Sequence, residues 1–341
     1  MPVTERLEAV DDATAHEARE LWDRAEAADG VGAVSEAFRM ALGAARAGVV
    51  HLLRRDDAGQ LVGYAQVASA GTSDAVAELV VDPAARRAGH GRALLDAALA
   101  EGTRSVWAHG DLDAARSLAA TAGLARTREL FRMARPLTSA DANDPVLPQG
   151  YSVRAFEPGR DDEDWVRLNA AAFASHPEQG RLTVEDLHER MSQPWFDASG
   201  FLLVEREGRV VAFHWTKVEP GSSSGRAHGA GTDEVRHGTG RGPGSGPNAV
   251  RSGTGAPPGS GPNAVRSGTG EVYVVGVDPA EQGHGLGGPL TALGLAHLAR
   301  QGLAEVELYV DGDNTAARRT YARLGFEDAA VDVQYTAPPP P

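Results

Sequence analysis

The 341-residue sequence contains no cysteine. This absence excludes disulfide bonds, thiolate metal ligands and a cysteine nucleophile. The sequence also lacks any run of 18 apolar residues, and its opening stretch, MPVTERLEAVDD, has no basic region followed by an apolar one. We therefore expect neither a membrane span nor a signal peptide, and we predict a cytoplasmic protein.

Positive charge and metal-binding patterns are scarce as well. The 47 acidic residues outnumber the 33 basic ones, which gives a formal net charge of −14. Such a charge disfavours nucleic acid or an anionic membrane as the main partner, and it tolerates a small amine-bearing substrate. The 11 histidines include no HExxH motif and no pair at metal-ligand spacing, so we predict no metal site. A monomer is compatible with these features.

The sequence does contain an internal repeat. Three blocks recur in the same order: GQLVGY (59–64) with GRVVAF (208–213), VVDPAARRAGHGRALL (80–95) with GVDPAEQGHGLGGPL (276–290), and GDLDAARSLAATAGL (110–124) with GDNTAARRTYARLGF (312–326). A shared order at similar spacing indicates duplication, and the length favours about two domains. We predict domains at 1–137 and 151–337, joined by a linker at 138–150.

The second copy is longer than the first because of one segment, 221–270. A repeat with a period of 15 residues begins at Gly229, Gly244 and Gly259, and glycine, serine and proline dominate it. Such a composition buries too little apolar surface to offset the entropy lost on ordering. We predict a disordered, low-complexity insertion within a hairpin.

The remaining pattern predicts an α/β protein in which each half is a mixed sheet covered by helices, because strands occur both as a hairpin run and alternating with helices. In the second half the predicted strands are at about 200–206, 209–218, 271–277, 305–310 and 328–335, and the helices are at about 161–175, 183–191, 285–300 and 314–324.

Glycines cluster between a strand and a helix in QGHGLGGPL (282–290). The first turn of a helix offers free N–H groups and a partial positive charge, which suit a phosphate. A tight structural turn is the alternative interpretation. A Walker loop is excluded because neither copy supplies its lysine, and a Rossmann fingerprint is excluded by the glycine spacing.

The spacing resembles the GNAT family of acyl-CoA N-acyltransferases. The family's [QR]-x-x-G-x-[GA] signature matches Gln282 to Gly287 and, in the first half, Arg86 to Gly91. Its second block, N-x-x-A-x-x-x-Y-x-x-x-G-F, matches 314–326 without a gap. This resemblance implies two tandem GNAT domains and acetyl-CoA as co-substrate, with the pyrophosphate of coenzyme A at the glycine turn.

Within that family, HPEQGR (176–181), FHWTK (213–217) and YVDGDNTAARRTYARLGF (309–326) are similar to the tandem-domain mycothiol synthases. The similarity covers nearly the whole chain except 221–270. It implies transfer of acetyl to the cysteinyl amine of cysteinyl-glucosaminyl-inositol, the last step of mycothiol biosynthesis. The alternatives are a GNAT enzyme acting on another amine, such as an antibiotic or a protein N-terminus, and a non-catalytic acyl-CoA-binding sensor.

Amine acetylation requires a base and an acid. An α-amino group has a pKa of roughly 7.7–8.0, so a modest base is sufficient. Glu271 opens the strand that leads to the glycine turn, and Tyr321 lies seven residues after Asn314, on the same helix face. A solvated glutamate and a core tyrosine are the alternative interpretations.

The first half distinguishes these interpretations. By the repeat offsets, Ala75, Leu112 and Ala119 stand where the second half has Glu271, Asn314 and Tyr321. The glycine turn is therefore retained in the first half without any proton-transfer residue. We predict that the second half catalyses, with Glu271 as base and Tyr321 as acid, and that the first half is catalytically degenerate.

The resemblance also implies the binding residues. In the first half, acetyl-CoA would contact Leu79, Val80, Val81, Arg87, Ala88, Gly89, His90, Gly91 and Arg92. In the second half it would contact Val275, Gly276, Val277, Gln282, Gly283, His284, Gly285, Leu286, Gly287, Gly288, Asn314, Thr315, Ala316, Ala317, Arg318 and Arg319. The acceptor would meet Glu36, Glu178, Lys217, Glu271 and Tyr309. A helix-surface role for Glu36, and solvated loop positions for His90 and His284, are the alternatives.

Overall fold

The computed structural model describes residues 3–43, 46–174, 177–221 and 267–338, with only the backbone at 177 and 178. Most of the predicted insertion, 222–266, lies outside the described residues. Contacts divide the chain into two compact units, Met1–Ala134 with Leu308–Pro341, and Arg135–Glu307. Within the described ranges, no helix is long and apolar enough to cross a membrane.

The helices and strands are numbered in chain order. They are β1 (Thr4–Leu7), α1 (Asp12–Asp29), α2 (Glu36–Met40), β2 (Val50–Arg55), β3 (Leu61–Ala68), β4 (Val76–Val81), α3 (His90–Ala100), β5 (Ser105–Ala108), α4 (Asp113–Thr121), β6 (Ala125–Pro136), β7 (Tyr151–Ala155), α5 (Asp162–Ala172), α6 (Pro177–Gly180), α7 (Val184–Met191), β8 (Phe201–Arg206), β9 (Arg209–Lys217), β10 (Thr269–Val277), α8 (Gly287–Arg300), β11 (Glu305–Asp311), α9 (Thr315–Arg323) and β12 (Glu327–Thr336).

Within the first unit, strands run in the order β1-β2-β3-β4-β5-β12-β6. β4 pairs with β5 in parallel, whereas β2–β3, β3–β4 and β12–β5 are antiparallel. The second unit contains the antiparallel order β10-β9-β8-β7. The predicted mixed sheet is confirmed.

The last strand of the chain closes the sheet of the first unit. Val333 of β12 stands opposite Ala108 of β5 on one side and opposite Glu129 of β6 on the other. The alternation of residues in β12 predicts that it is a strand, but it carries no information about which neighbours the strand will have.

Each unit has its own apolar core. In the first unit, α1 begins after Asp11, whose side chain accepts the Thr14 N–H, and it packs Leu21 and Trp22 against the sheet. In the second unit, the ring of Trp165 meets those of Phe201 and Trp215 edge to face. These cores hold β4 and β10 in place, and each of these strands leads into a glycine turn.

At one place in the core, the two halves differ by a pair of substitutions that compensate for each other in size. His214 of β9 occupies the position of Ala65 in the first half, and Gly294 of α8 occupies the position of Ala98. A Cβ atom on Gly294 would overlap the imidazole of His214. The larger side chain on the strand therefore requires the smallest residue on the helix.

The predicted strands and helices of the second half are confirmed to within a few residues, although the helix expected at 161–175 ends at Ala172. The edge strands β1 and β7 were not predicted. Their inner residues are exposed, as at Val153, so neither carries the apolar alternation that indicates a half-buried strand.

Candidate functional site

The glycine turn of the second unit joins β10 to α8. Asp278 fixes its start by accepting the Ala280 N–H at 2.9 Å, and Gly283 and Gly285 adopt left-handed φ values of 84° and 76°. No atom lies within 4 Å of a Cβ built on either glycine. Leu286, the residue before α8, provides no side-chain acceptor for the first helical N–H groups. This arrangement suits a phosphate.

The turn of the first unit has the same geometry. Asp82 accepts the Ala84 N–H at 2.9 Å, and Gly89, with φ of 87°, precedes α3. Arg86 fastens this turn to α1 through two hydrogen bonds to the carboxylate of Asp29, at 2.7 and 2.6 Å. The side chain of the motif arginine therefore holds the turn in place.

Different residues hold the turn of the second unit in place. The Tyr151 hydroxyl donates to Glu281 at 2.5 Å, and Arg206 donates to the same carboxylate oxygen at 2.9 Å. Both turns are thus held by buried or half-buried hydrogen bonds to a carboxylate, but the residues that supply them come from different elements.

A cavity of about 490 Å³ opens beside the first-unit turn. Its volume lies in the usual range for a small-molecule site. Of the acetyl-CoA contacts predicted for this half, all but Ala88 line it. Apolar side chains such as Leu95 and Leu118 form much of the remaining wall. The structure therefore brings the predicted first-half residues together around one cavity.

His90 departs from its alternative interpretation as a solvated loop residue. It is only 8 % exposed and lines the cavity as the first residue of α3. His284 does lie exposed in its turn, where its Nδ1 donates to the Glu281 carbonyl at 3.1 Å. The two histidines are not equivalent in the motif, because His90 aligns with Leu286, which is also buried.

A charged cluster adjoins the cavity wall at His109. His109 lines the wall, with Nε2 3.3 Å from Glu78 and Nδ1 3.0 Å from Asp332. Glu78 also accepts the Ser35 N–H at 2.7 Å. Burial disfavours the charged ring, but hydrogen bonds to Asp332 and Glu78 raise the pKa of His109 to about 10. The ring is therefore an imidazolium and no base at neutral pH. Sequence reasoning missed this cluster, whose members share no motif.

Glu271 lies opposite Lys217 in the register of β10 and β9. The Lys217 ammonium is 3.9 Å from the Glu271 carboxylate and 2.8 Å from that of Glu219. A nearby ammonium favours the ionised carboxylate, which is the form that a base requires. The structure thus brings together two of the predicted site residues.

A β-bulge in β10 distinguishes this strand from β4, its counterpart in the first half. Val272 stands opposite Thr216 and Val274 opposite Trp215, so Tyr273 is an extra residue in β10. β4 pairs with β3 without interruption. The extra residue shifts the correspondence by one position. Val76, opposite Ala68, is the structural counterpart of Glu271, and the sequence alignment with Ala75 was wrong. The counterpart is apolar in either case.

Asn314 and Tyr321 lie on the same helix, α9. The Asn314 side chain caps the helix by accepting the Ala317 N–H at 3.1 Å, whereas Leu112 offers no such bond to α4. The ring of Tyr321 packs edge to face on Phe326, and burial raises its pKa to about 12. Tyr321 is therefore a protonated phenol at neutral pH.

The other predicted acceptor contacts are dispersed. Tyr309 on β11 is 44 % exposed and Glu36 begins α2, both within the first unit. The side chain of Glu178 lies outside the described residues. Glu271 and Lys217 belong to the second unit, and Asn314 and Tyr321 to the first.

Comparison with known proteins identifies the family. The Acetyltransferase (GNAT) family matches residues 165–326, and an Acetyltransferase (GNAT) domain matches residues 47–124. The mycothiol acetyltransferase of Cellulomonas flavigena is 47 % identical over 321 residues, which cover 91 % of this chain and 82 % of the relative. The chain belongs to the mycothiol acetyltransferase family. The mycothiol acetyltransferase of Streptomyces coelicolor is 46 % identical, with 92 % of this chain and 89 % of the relative covered.

Solved structures support the fold expected of a mycothiol acetyltransferase. A tandem GNAT protein from the clavulanic acid biosynthesis pathway superposes with a TM-score of 0.63 at 18 % identity, covering 100 % of this chain and 99 % of that one. A GCN5-related N-acetyltransferase from Sphaerobacter thermophilus gives 0.64 at 20 % identity, covering 98 % and 95 %. The predicted tandem GNAT fold is confirmed.

Proposed function

We propose that this chain transfers the acetyl group of acetyl-CoA to the cysteinyl amine of cysteinyl-glucosaminyl-inositol. Membership of the mycothiol acetyltransferase family, through relatives aligned over most of both chains, is the observation that carries the proposal. The name of these relatives, mycothiol acetyltransferase, denotes acetyl transfer. A non-catalytic sensor and an enzyme for another amine are therefore not favoured.

The reaction joins one nitrogen to one acyl carbon. Glu271 removes a proton from the acceptor amine, directly or through water, and the nitrogen attacks the thioester carbonyl. The carbon–sulfur bond then breaks, and Tyr321 donates its phenolic proton to the departing thiolate. The ammonium of Lys217 beside Glu271 supports the role of base, and the phenol of Tyr321, which is protonated at neutral pH, has the proton that the role of acid requires.

Binding residues follow from the same assignment. Backbone N–H groups of 275–277 would polarise the thioester carbonyl, and the turn from Gln282 to Gly288 would receive the pyrophosphate. The open space around Gly283 and Gly285 supports this placement. Asn314 to Arg319 would complete the coenzyme A contacts. Glu36, Glu178, Lys217, Glu271 and Tyr309 would face the acceptor.

The first half, in this proposal, holds coenzyme A without catalysing. Its cavity supports the first part, since the predicted contacts line it. Val76 and Ala119, at the positions of Glu271 and Tyr321, support the second part, because neither side chain can transfer a proton. We further propose that the two copies of the repeat are tandem domains at 1–137 and 151–337.

Acceptor profiling tests the function. The purified protein would be incubated with acetyl-CoA and cysteinyl-glucosaminyl-inositol, glucosaminyl-inositol, an aminoglycoside or a peptide with a free N-terminus. We expect thiol release and an N-acetyl product, identified by mass spectrometry, only with the cysteinyl compound. Preference for the aminoglycoside or peptide would assign another amine. Acetyl-CoA binding with no transfer to any amine would indicate a sensor.

A further inference from the structure

Glu78 of β4 is a buried carboxylate that the proposed reaction does not use. It is only 2 % exposed. One of its oxygens accepts the Ser35 N–H at 2.7 Å and lies 3.3 Å from Nε2 of His109. Burial of an ionised carboxylate is costly unless a charged partner and hydrogen bonds compensate for the lost water. The imidazolium and the backbone N–H supply that compensation, so both hold the carboxylate in one place.

His109 is itself held from the other side. Asp332 of β12 lies 3.0 Å from Nδ1 of the ring, and its second oxygen accepts the Gly110 N–H at 2.8 Å. The ring is therefore fixed between two carboxylates, one at each nitrogen. All members of this Glu78–His109–Asp332 cluster belong to the first unit.

The segment 30–35, which joins α1 to α2, contacts the cluster at two places. One contact is the hydrogen bond from Ser35 to Glu78. The other is the packing of Val31 on Gly110, where a Cβ atom on the glycine would lie only 2.8 Å from Cγ1 of the valine. The absence of a side chain at Gly110 thus allows the segment to lie directly on the turn after His109.

This segment leads into Glu36, the first residue of α2. The helix has five residues, far fewer than the roughly 12 that an isolated helix needs, so its neighbours must hold it in place. The Ser35 side chain makes no capping hydrogen bond to it. Glu26 of α1 accepts the Ala33 N–H at 3.0 Å, but the bond from Ser35 to Glu78 is the one next to Glu36.

We propose that Glu78 is a positioning residue, which acts through the Ser35 N–H to fix the start of α2 and so holds Glu36 in place for the acceptor. The inference rests on the proposed function, in which Glu36 contacts the acceptor. Glu78 itself touches no reactant, because its carboxylate is covered and already engaged by Ser35 and His109.

The first test needs no acceptor and measures amide hydrogen exchange at Ser35 by NMR. In Glu78→Ala we expect the exchange to become about tenfold faster or more, because a hydrogen bond to a charged acceptor is lost. Glu78→Gln keeps an oxygen that can accept the N–H and should give a smaller increase. The matched control is Asp11→Ala, which removes a carboxylate that accepts the Thr14 N–H at 2.8 Å. It should leave Ser35 unchanged.

Unchanged exchange at Ser35 in folded Glu78→Ala would overturn the proposal. Because Glu78→Gln keeps the volume of the side chain, it carries both tests if Glu78→Ala fails to fold.

The second test measures steady-state kinetics with cysteinyl-glucosaminyl-inositol. Glu78→Ala should raise the acceptor KM about five- to tenfold, while kcat and the KM for acetyl-CoA stay within about twofold of wild type. Glu78→Gln should recover most of the acceptor KM, and Asp11→Ala should not change it. A fall in kcat with a rise in both KM values would indicate a general loss of structure and would overturn the positioning role.

Glu36→Gln separates failure of this inference from failure of the proposed function. If Glu78 acts through Glu36, adding Glu78→Ala to Glu36→Gln should raise the acceptor KM no further. Additive increases would overturn the proposal. If Glu36→Gln alone leaves the acceptor KM unaltered, the assignment of Glu36 in the proposed function is wrong and the positioning role falls with it, whereas faster exchange at Ser35 would still show that Glu78 holds the start of α2.

Discussion

β4 in the first unit and β10 in the second lead into the same glycine turn, yet they differ where chemistry would occur. β10 contains a bulge at Tyr273 and places Glu271 opposite Lys217. β4 pairs regularly and places Val76 opposite Ala68. The comparison shows that the geometry of the glycine turn can persist when the preceding strands carry neither the carboxylate nor the ammonium.

One enclosed histidine from each unit shows how its partners decide the charge of the imidazole. His109 faces two carboxylates, which raise its pKa to about 10 against the cost of burial. His214 is fully buried, and burial lowers its pKa to about 4 although its Nδ1 bonds the Leu290 carbonyl at 2.9 Å. Carboxylate partners hold one ring charged, and a single backbone partner leaves the other neutral.

The largest effect is expected at Glu271. Glu271→Gln keeps the size of the side chain and removes the base, so kcat should fall by about 10²–10⁴ while acetyl-CoA binding changes little. Residual activity should rise with pH as solvent takes over deprotonation. Steady-state kinetics from pH 6.5 to 9.5 measure both constants, with Glu219→Gln as the matched control. An unaltered kcat with a raised acceptor KM would show that Glu271 only binds the acceptor.

Gly285→Asp and Gly89→Asp test whether turnover requires both glycine turns or only that of the second unit. Both residues have left-handed φ and open space around them, so the strain introduced is similar. A carboxylate beside the pyrophosphate should cost several kcal/mol. We expect Gly285→Asp to lower kcat/KM for acetyl-CoA about a hundredfold or more, and Gly89→Asp to leave turnover largely intact. Gly285→Ala and Gly89→Ala control for strain. Loss of turnover in folded Gly89→Asp would contradict the division of roles.

The core exchange predicts a stability difference. Gly294→Ala would push a methyl group into the His214 ring, and overpacking of this kind costs about 1–3 kcal/mol. Ala98→Gly, at the equivalent position of the first half, should cost about 1 kcal/mol through helix propensity, to which the loss of its buried methyl group adds. Chemical denaturation measures both. The double change His214→Ala with Gly294→Ala should recover the loss, and its failure to do so would contradict the steric explanation.

The histidines predict opposite, smaller dependences of stability on pH. The folded pKa of His109, about 10, lies above the ordinary 6.5, so its stabilisation is complete below pH 6.5 and is lost as pH rises towards 10. The folded pKa of His214, about 4, lies below 6.5, so its contribution is lost as pH falls from 6.5 towards 4. Thermal unfolding across this range should lose its alkaline slope in His109→Gln and its acidic slope in His214→Gln. Unchanged slopes would show that neither ring holds the charge state assigned.

Much of the site could be predicted from local spacing. The glycines at 283–288, the capping position of Asn314 and the strands of the second half are recorded in short sequence segments, because turns, caps and alternation depend on neighbours along the chain. The duplication also predicts that the first half lacks proton-transfer groups, since two copies of one repeat can be compared position by position.

The contacts between residues far apart in the sequence became known from the tertiary structure alone. The sequence does not show that β12 joins β5 and β6, that Asp332 reaches His109 across 223 positions, or that a bulge shifts the counterpart of Glu271 from Ala75 to Val76. A strand's pattern specifies its faces but not its partners, and a bulge appears only when two strands are paired. The rings of Trp195 and Tyr273, which both lie beside the Lys217 ammonium, likewise come from segments far apart in the sequence.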